Sequence, residues 1–153
     1  DEPLIPPAVI DQVANNLARN PSAGVSTLSE PITDIVAFKD PNVVKVVANA
    51  QGMANYFSRA SIPWPRGGAQ GDSNIMASAL SPRRHIGIYA YRVGALRQFI
   101  KLPVAALEES EKLEQLRALA AGKKIFADEA KDSFPAGIDT PDDLQRTIDY
   151  LGK

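Results

Sequence analysis

The chain has 153 residues, with 44% hydrophobic residues, 23% charged residues and a formal net charge of -1. This composition is typical of one globular domain and excludes a chain that is disordered throughout. The near balance of charge argues against a nucleic-acid-binding protein, and the absence of cysteine with a single histidine excludes disulfide scaffolds, cysteine-ligated metals and multi-histidine metal sites.

No run of the sequence approaches the roughly 18 apolar residues that a membrane span needs, and no signal-peptide pattern opens it. We therefore expect a cytoplasmic protein without a membrane partner. The sequence starts with Asp1-Glu2-Pro3, without an initiating Met, and an apolar, proline-bearing stretch follows. We expect these residues to lie inside a larger domain, where a strand leads into a helix.

The first third of the chain predicts a helix and then a strand. Pro6 and Pro7 suit the first turn of a helix, whose apolar stripe consists of Val9, Ile10, Val13, Ala14 and Leu17. The Asn, Pro and Gly residues at positions 20–24 end this helix. Residues 25–32 predict a strand, and residues 33–38 fit one helical turn.

Residues 43–58 carry the pattern of a β-hairpin. The β-branched run over residues 43–47 predicts a strand, residues 49–52 a turn, and residues 53–58 a returning strand. Residues 61–65 are expected to be extended, because residues before proline avoid the helical region. The Gly- and Ser-rich stretch 66–84 is interpreted as a mobile insertion or lid.

The rest of the chain mixes strands and helices. We predict strands over residues 85–92 and 124–130, a short helix over 93–100, a longer helix over 106–121, and a last helix from residue 140. The apolar positions are Leu113, Leu116, Leu119 and Ala120 in the longer helix and Leu144, Ile148 and Leu151 in the last one. Because strands and helices do not alternate strictly, the sequence predicts one α/β unit over residues 1–153, with a mixed sheet.

The loop before the last helix contains a candidate metal ligand. Thr140, Pro141 and Asp143 fit the N-cap, N1 and N3 positions of that helix. The cap does not need Asp139, so this carboxylate is free to point at a divalent metal. The alternative is that Asp139 is an ordinary polar loop residue.

The segment Arg84–Arg92 contains a candidate ligand-binding face. In a strand, His85, Gly87, Tyr89 and Tyr91 share one face, and Ile86, Ile88 and Ala90 share the other. Gly87 then leaves a notch between an imidazole and a phenol, across which a small polar ligand fits. The alternative is a histidine and a tyrosine with purely structural partners.

Two further candidates lie elsewhere in the chain. The acidic run 108–117 includes Glu114 and Gln115, which diverge by about 100° on a helix and share only a small patch. Its alternative interpretation is a solvated helix face. Arg59, a lone cation in this part of the sequence, suits either a bidentate bond to a carboxylate or a structural role. No nucleophile elbow, P-loop or GxGxxG motif occurs.

Six strings, in order, resemble one family, the 3-deoxy-manno-octulosonate (Kdo) cytidylyltransferases, also called CMP-Kdo synthetases. They are Asp1–Pro3, Pro41–Val47, Tyr56–Ala60 with Ile62–Trp64, Arg84–Arg92, Leu113–Arg117 and Gly137–Leu144. The resemblance spans essentially the whole chain. Its two most specific strings are His85–Arg92 and Gly137–Leu144. A basic, Gly-containing loop that wraps the nucleotide in this family has no counterpart here. The chain therefore resembles the carboxy-terminal half of a nucleotide-diphospho-sugar transferase-like fold.

The resemblance implies an enzyme that couples CTP with the eight-carbon acid sugar Kdo, for lipopolysaccharide biosynthesis, and releases pyrophosphate. By match to the family's motifs, Asp1 and Asp139 would be catalytic and would hold Mg²⁺. Arg59 would pair with the Kdo carboxylate, and His85, Tyr89, Glu114 and Gln115 would bind its hydroxyl groups. The family also implies a homodimer, for which we expect the hairpin at residues 43–57 and the segment 62–64 to form part of the interface.

Two alternatives stay open. The acid sugar could be a nine-carbon relative such as sialic acid, although the Arg84–Arg92 string favours Kdo. The chain could also act as a non-catalytic module for acid-sugar binding or dimerisation, since the nucleotide-binding half is missing. We expect the 153-residue chain alone to be inactive in transfer.

Overall fold

The computed structural model describes residues 4–66, 81–132, 137–138 and 141–152. The helices are α1 (Pro7–Arg19), α2 (Ile35–Lys39), α3 (Val93–Phe99), α4 (Ala106–Glu111), α5 (Gln115–Ala120) and α6 (Pro141–Leu151). The strands are β1 (Val25–Pro31), β2 (Lys45–Ala48), β3 (Ala54–Ser58), β4 (Arg83–Tyr91) and β5 (Ile125–Glu129). None of these helices is long and apolar enough to cross a membrane.

The strands form one mixed sheet in the order β3-β2-β4-β1-β5. The β1–β5 pair is parallel, whereas the β1–β4, β2–β3 and β2–β4 pairs are antiparallel. The predicted α/β fold with a mixed sheet is therefore confirmed. Most predicted boundaries lie within a few residues of the observed ones, and the ambiguous segment 33–38 forms α2, capped by the Asp34 side chain, which accepts a hydrogen bond from Ala37 N at 2.8 Å.

The predicted hairpin is confirmed as β2 and β3, with Val46 opposite Phe57. At its tip the Asn49 Oδ1 atom accepts hydrogen bonds from the backbone of Gln51 and Met53, at 2.9 and 3.0 Å. Gly52 has a φ of 75°, and a Cβ there would lie 2.5 Å from the Phe126 ring. Glycine is required here, because it allows the left-handed turn and brings the hairpin tip against β5.

Helix α1 packs on one face of the sheet. Pro7 occupies its first turn, as predicted, and Val9, Val13 and Leu17 are buried. The predicted stripe is partly wrong, because Ile10 is 48% exposed and Ala14 is exposed as well.

The buried positions beside that stripe are polar. Gln12 Nε2 donates to the Glu129 carbonyl at 2.7 Å, and Asn16 Nδ2 donates to Asp128 Oδ2 at 3.0 Å. These bonds attach α1 to the end of β5. Asp128, the partner of Asn16, lies 112 residues away in the sequence.

The sheet separates two larger hydrophobic clusters. The first includes Phe57 with Leu113 and Leu116, and Tyr89 and Tyr91 pack against it. The second, under α1, is built from Val9, Val13, Leu28 and Ile86. Phe38 and Ile32 form a third, smaller cluster.

The predicted long helix over residues 106–121 is wrong, because it is divided into α4 and α5. Lys112 adopts the left-handed conformation, with a φ of 53°, and ends α4. The break lets Glu111 turn to β3 while Leu113 and Leu116 enter the first cluster, at 6% and 0% exposure. A bidentate ion pair joins the two short helices, in which Arg117 donates from Nε to Glu108 Oε2 at 2.7 Å and from Nη2 to Oε1.

Strand β4 begins at Arg83, so residues 83–84 of the predicted insertion belong to the sheet. Residues 67–80 of that insertion lie outside the described residues. The last helix is confirmed as α6, but the face that carries Leu144, Ile148 and Leu151 is exposed by 48%, 52% and 67%.

Lys45 is the buried cation of β2, with an exposure of 0%. Its ammonium group donates to the carbonyls of Asp40, Val43 and Arg59. Burial lowers the pKa of Lys45, and the negative charges of Asp40 and Glu111 oppose this effect. The three bonds join the loop before β2 to the backbone that carries Arg59.

Candidate functional site

Strand β4 presents two chemically different faces, as the alternation predicts. Ile86, Ile88 and Ala90 belong to the cluster under α1. On the other face an aromatic row runs from Phe57 through His85, Tyr89 and Tyr91 to Phe99, with ring centroids separated by 4.9, 5.4, 5.8 and 6.4 Å. His85 and Tyr89 therefore stand side by side above the first cluster.

The β1–β4 ladder is irregular at Gly87. Thr27 pairs with Tyr89, whereas the next residue, Leu28, pairs with Ile86, so that Gly87 and Ile88 form a bulge. Gly87 is exposed, and a Cβ built on it meets no atom within 4 Å. Open space is thus present beside Gly87, but the His85 and Tyr89 rings contact each other, with centroids 5.4 Å apart, so this space does not separate them as predicted. The ligand expected beside Gly87 stays a prediction.

His85 lies in an environment that disfavours its charged form. Its ring meets the Phe57 ring edge-on, at an interplanar angle of 78°. Its Nε2 atom lies 2.9 Å from Thr27 Oγ1. Burial lowers the pKa of His85 to about 3, so the imidazole is neutral at physiological pH.

Tyr89 is also held in its neutral form. Burial raises the pKa of this phenol, and the charge of Glu114 and the neighbouring Tyr91 raise it further. Glu114 also raises the pKa of Tyr91, after burial. The structure therefore brings Glu114 into electrostatic reach of the β4 face, although the two segments are distant in sequence.

Glu114 and Gln115 lie at the start of α5, directly after the break at Lys112. Glu114 is the N-cap residue and is exposed, whereas Gln115 is 5% exposed. The two side chains diverge, as expected for adjacent helical positions, and the interpretation of this run as only a solvated face is wrong for Gln115 and for Glu111.

Arg59 follows β3 and is fixed by backbone carbonyls. Its Nε donates to the Glu111 carbonyl at 2.7 Å, and its Nη1 donates to the Pro41 carbonyl at 3.0 Å. None of the carboxylates in the described residues forms an ion pair with this guanidinium. Backbone carbonyls thus hold this cation in position, the charge of the nearby Glu111 acts on it, and within the described residues the guanidinium stays available for an anionic ligand.

Glu111 connects Arg59 to the helix break. Its carboxylate accepts hydrogen bonds from Ser58 Oγ at 2.6 Å and from Arg59 N at 2.9 Å. Burial raises the pKa of Glu111, but the hydrogen bonds from Ser58, Arg59 and Tyr56 outweigh this effect, and the pKa is lowered. An ionised Glu111 therefore fixes the position of Glu114 and Gln115 relative to Arg59.

The two proposed metal ligands, Asp1 and Asp139, lie outside the described residues, as does the predicted cap residue Thr140. Within the described part of the chain, no group of three or more His, Asp or Glu side chains could hold a metal ion. The fit of Mg²⁺ to Asp1 and Asp139 therefore stays a prediction.

The remaining five predicted residues lie on elements that build the first cluster, namely the end of β3, strand β4 and the start of α5. They offer one cation, one neutral imidazole, a phenol, a carboxylate and an amide, from Arg59, His85, Tyr89, Glu114 and Gln115. This set can bind a molecule that carries one carboxylate and several hydroxyl groups, because it combines an anion partner with both donors and acceptors of hydrogen bonds.

Comparison with known proteins identifies the family of this chain. The cytidylyltransferase family profile matches residues 1–125. The chain belongs to the cytidylyltransferase family.

Two relatives of this cytidylyltransferase chain are named 3-deoxy-manno-octulosonate cytidylyltransferase. The one from Cellvibrio japonicus (strain Ueda107) is 56% identical over 147 residues, which are 95% of this chain and 58% of that protein. The one from Pseudomonas syringae pv. syringae (strain B728a) is 51% identical over 146 residues, with the same two coverages of 95% and 58%. The resemblance to the CMP-Kdo synthetases is confirmed.

A solved structure has the same fold. It is CMP:2-keto-3-deoxy-manno-octonic acid synthetase complexed with CTP, with a TM-score of 0.86 and 34% sequence identity over 99% of this chain and 58% of that chain. The cytidylyltransferase chain thus spans 58% of the length of these three proteins.

Sequence reasoning missed Thr27 and Glu111. A signal for Thr27 was present, since β1 is buried and yet carries hydroxyl groups at Ser26, Thr27 and Ser29, each of which needs a partner. Glu111 carries no such signal, because its role depends on the break at Lys112.

Proposed function

We propose that the complete protein is a CMP-Kdo synthetase, which transfers CMP from CTP to Kdo and serves lipopolysaccharide biosynthesis. The main support is that the fold brings together the elements that carry Arg59, His85, Tyr89, Glu114 and Gln115, which are far apart in sequence, around the first cluster. The chemistry of this set matches a polyhydroxylated acid. The names of the relatives and of the CTP complex give independent support.

In the proposed reaction, the anomeric hydroxyl oxygen of Kdo attacks the α-phosphorus of CTP. A new P–O bond to the sugar forms, the bond from the α-phosphorus to pyrophosphate breaks, and the hydroxyl proton is released. Arg59 binds the sugar carboxylate, and the neutral His85 and Tyr89, with Glu114 and Gln115, orient the hydroxyl groups. These residues contribute by holding the acceptor in place.

We propose Asp1 and Asp139 as the ligands of a Mg²⁺ ion. Two carboxylates suit this ion, which prefers few protein ligands together with phosphate oxygens and water. When bound, Mg²⁺ neutralises phosphate charge and activates the attacking hydroxyl group.

Substitution of Asp139 tests the metal proposal. We expect Asp139→Ala in the complete protein to lower kcat at least about a hundredfold, because a metal ligand is lost. The exposed Asp142 of α6 provides the control, and Asp142→Ala should keep kcat within about twofold. Both variants should unfold at the wild-type temperature. An Asp139→Ala enzyme with wild-type kcat and metal dependence would contradict the proposal.

The acceptor is tested by competition. The complete protein is given CTP, Mg²⁺, and equal concentrations of Kdo and sialic acid, and the CMP-sugars are separated by mass spectrometry. We expect CMP-Kdo and pyrophosphate in equal amounts. Faster formation of CMP-sialic acid would overturn the choice of Kdo.

The second candidate function, for the 153-residue chain alone, is that of an acid-sugar-binding module. It is supported by the fact that the five assembled residues are all assigned to the sugar and none to the nucleotide. Calorimetry of the 153-residue chain with Kdo and with CTP separates the two. Binding of Kdo alone supports the module, whereas binding of CTP contradicts it.

We also propose that the complete protein is a cytoplasmic homodimer, with the β2–β3 hairpin and residues 62–64 in the interface. Trp64, which is 58% exposed, supports the use of this segment as a contact. Sedimentation of the wild type and of Trp64→Ala tests it. A wild-type monomer, or an unchanged dimer affinity in Trp64→Ala, would contradict this interface.

A further inference from the structure

The hydroxyl group of Thr27 lies at the bulge of β4, between three polar atoms. Its Oγ1 atom is 2.8 Å from the Ile88 carbonyl oxygen, 3.1 Å from the Ile86 carbonyl oxygen and 2.9 Å from His85 Nε2. Thr27 is completely buried, with an exposure of 0%. No solvent can therefore replace these contacts.

The hydrogen atoms of this cluster can be assigned by counting donors. Both carbonyl oxygens only accept, so the single hydroxyl proton of Thr27 is donated to one of them or shared between the two. Thr27 Oγ1 then has only lone pairs to offer to His85 Nε2. A contact of 2.9 Å between two lone pairs is unfavourable, so Nε2 carries a proton that it donates to Thr27.

The other ring nitrogen is then fixed as well. Because burial keeps the imidazole neutral, a proton on Nε2 leaves Nδ1 with a lone pair. Arg84 Nε is the buried side-chain polar atom without a partner in the described part of the chain. His85 Nδ1 has no protein partner there and is therefore not fully buried, in keeping with the partial exposure of the residue.

We propose that Thr27 is a positioning residue that holds His85 in the Nε2-protonated tautomer, so that Nδ1 accepts a hydrogen bond from a hydroxyl group of the acid sugar. The role of the sugar rests on the proposed function, whereas the tautomer does not. A site built to accept a hydroxyl proton discriminates against an analogue that lacks this hydroxyl group, because His85 Nδ1 is then left without a hydrogen-bond donor.

The tautomer is measured directly by NMR. Long-range ¹H–¹⁵N correlation of the ¹⁵N-labelled complete protein, without substrate and at neutral pH, distinguishes protonated from unprotonated ring nitrogens, and His85→Gln identifies the resonances of His85. We expect a protonated Nε2 and an unprotonated Nδ1. The opposite tautomer, or equal populations of both, in the wild type would overturn the proposal without any need for a Thr27 variant.

Variants then test the role of Thr27. Thr27→Val removes the hydroxyl group at nearly constant shape, and Thr27→Ser restores it. We expect Thr27→Val to lose the preference for the Nε2 tautomer and to raise the KM for the acid sugar about tenfold, with the KM for CTP unchanged. Thr27→Ser should keep the wild-type tautomer and a KM within about twofold of the wild type.

The control for the loss of a buried hydroxyl group is Ser26→Ala on the same strand. Ser26 is 0% exposed and donates to the Val13 carbonyl at 2.6 Å, away from His85. Ser26→Ala should lower the free energy of unfolding without changing the His85 tautomer or the KM for the acid sugar. A wild-type tautomer and KM in Thr27→Val, or a changed tautomer in Ser26→Ala, would contradict the specific role of Thr27. The tautomer is measured without substrate, so this result does not depend on the proposed transfer reaction. A protein that shows the expected tautomer but transfers no CMP would contradict the proposed function alone.

Discussion

His85 carries a stability effect that can be separated from its proposed role in binding. The ring packs against Phe57 and Tyr89, and its burial favours the neutral form. The unfolded chain has no such environment, so its histidine has an ordinary pKa of about 6.5. The two states therefore differ in the protons they bind at mildly acidic pH.

The free energy of unfolding should consequently fall as the pH falls. Burial lowers the pKa of folded His85 to about 3, so between this value and about 6.5 the unfolded chain binds one more proton. The contribution is complete above about pH 6.5, and about 2 kcal/mol should be lost from pH 7 to pH 5. Urea unfolding at several pH values measures it. His85→Gln is the control, and an equal pH dependence in both proteins would show that His85 titrates normally when folded.

Gly87 gives a second test at this scale. Its φ is not positive and a Cβ meets no atom within 4 Å, so Gly87→Ala should leave stability within about 0.5 kcal/mol of the wild type. If the sugar occupies the space above Gly87, the same change should raise the KM for Kdo at least about tenfold. Gly94→Ala on α3, where a Cβ also meets nothing within 4 Å, is the matched control and should leave KM unchanged. An unchanged KM in Gly87→Ala would show that the sugar does not occupy the space beside Gly87.

At the scale of elements, the break between α4 and α5 is the feature that positions half of the site. Glu111 bonds to β3 at the end of α4, and Gln115 is buried at the start of α5. A continuous helix would rotate these two groups to other directions. The Glu108–Arg117 ion pair holds α4 and α5 together across the break. Arg117 also lies over the Phe99 ring, 5.1 Å from its centroid.

The strain at this break is testable. Lys112 has a φ of 53°, a conformation that costs roughly 1 kcal/mol for a residue with a Cβ but little for glycine. Lys112→Gly should therefore be about 1 kcal/mol more stable than Lys112→Ala, as measured by urea unfolding. Both variants lose the same exposed charge, so the comparison isolates the backbone. A less stable Lys112→Gly protein would contradict the left-handed conformation.

At the scale of the whole molecule, the first cluster is part of the core and also lies under the candidate site. Phe57 is 0% exposed and touches the His85 ring, whereas Phe38 is equally buried but belongs to the third cluster. Substitution of Phe38 therefore removes core packing alone, whereas substitution of Phe57 removes core packing and the contact with His85.

Phe57→Leu and Phe38→Leu should each lower the free energy of unfolding by roughly 1–2 kcal/mol, less than the ~3–5 kcal/mol of truncation to alanine. Only Phe57→Leu should also raise the KM for Kdo, by about three- to tenfold, because the His85 ring loses its edge contact. Equal KM values for the two variants would contradict a supporting role for the first cluster.

The sequence predicts those parts of this fold that depend on local chemistry. The hairpin follows from a β-branched run and a turn that contains Gly52, and the two faces of β4 follow from alternation. The buried Gln12 could not be predicted, because its partner is the carbonyl of Glu129, which becomes adjacent only when β5 pairs with β1. The break at Lys112 could not be predicted either, since no glycine marks it and tertiary contacts of Glu111 and Leu113 outweigh helix propensity there.

The three carbonyl contacts of Lys45 have a consequence for amine chemistry. An ammonium group that is fully enclosed and bonded on all three N–H positions has neither the free lone pair nor the access that an acylating reagent requires. Lys45 should thus stay unmodified in the native protein while exposed lysines such as Lys101 react. It should react only when the loop before β2 unfolds locally. The extent of Lys45 acetylation, measured by peptide mapping after brief treatment, would therefore report how often the loop detaches from the backbone that carries Arg59.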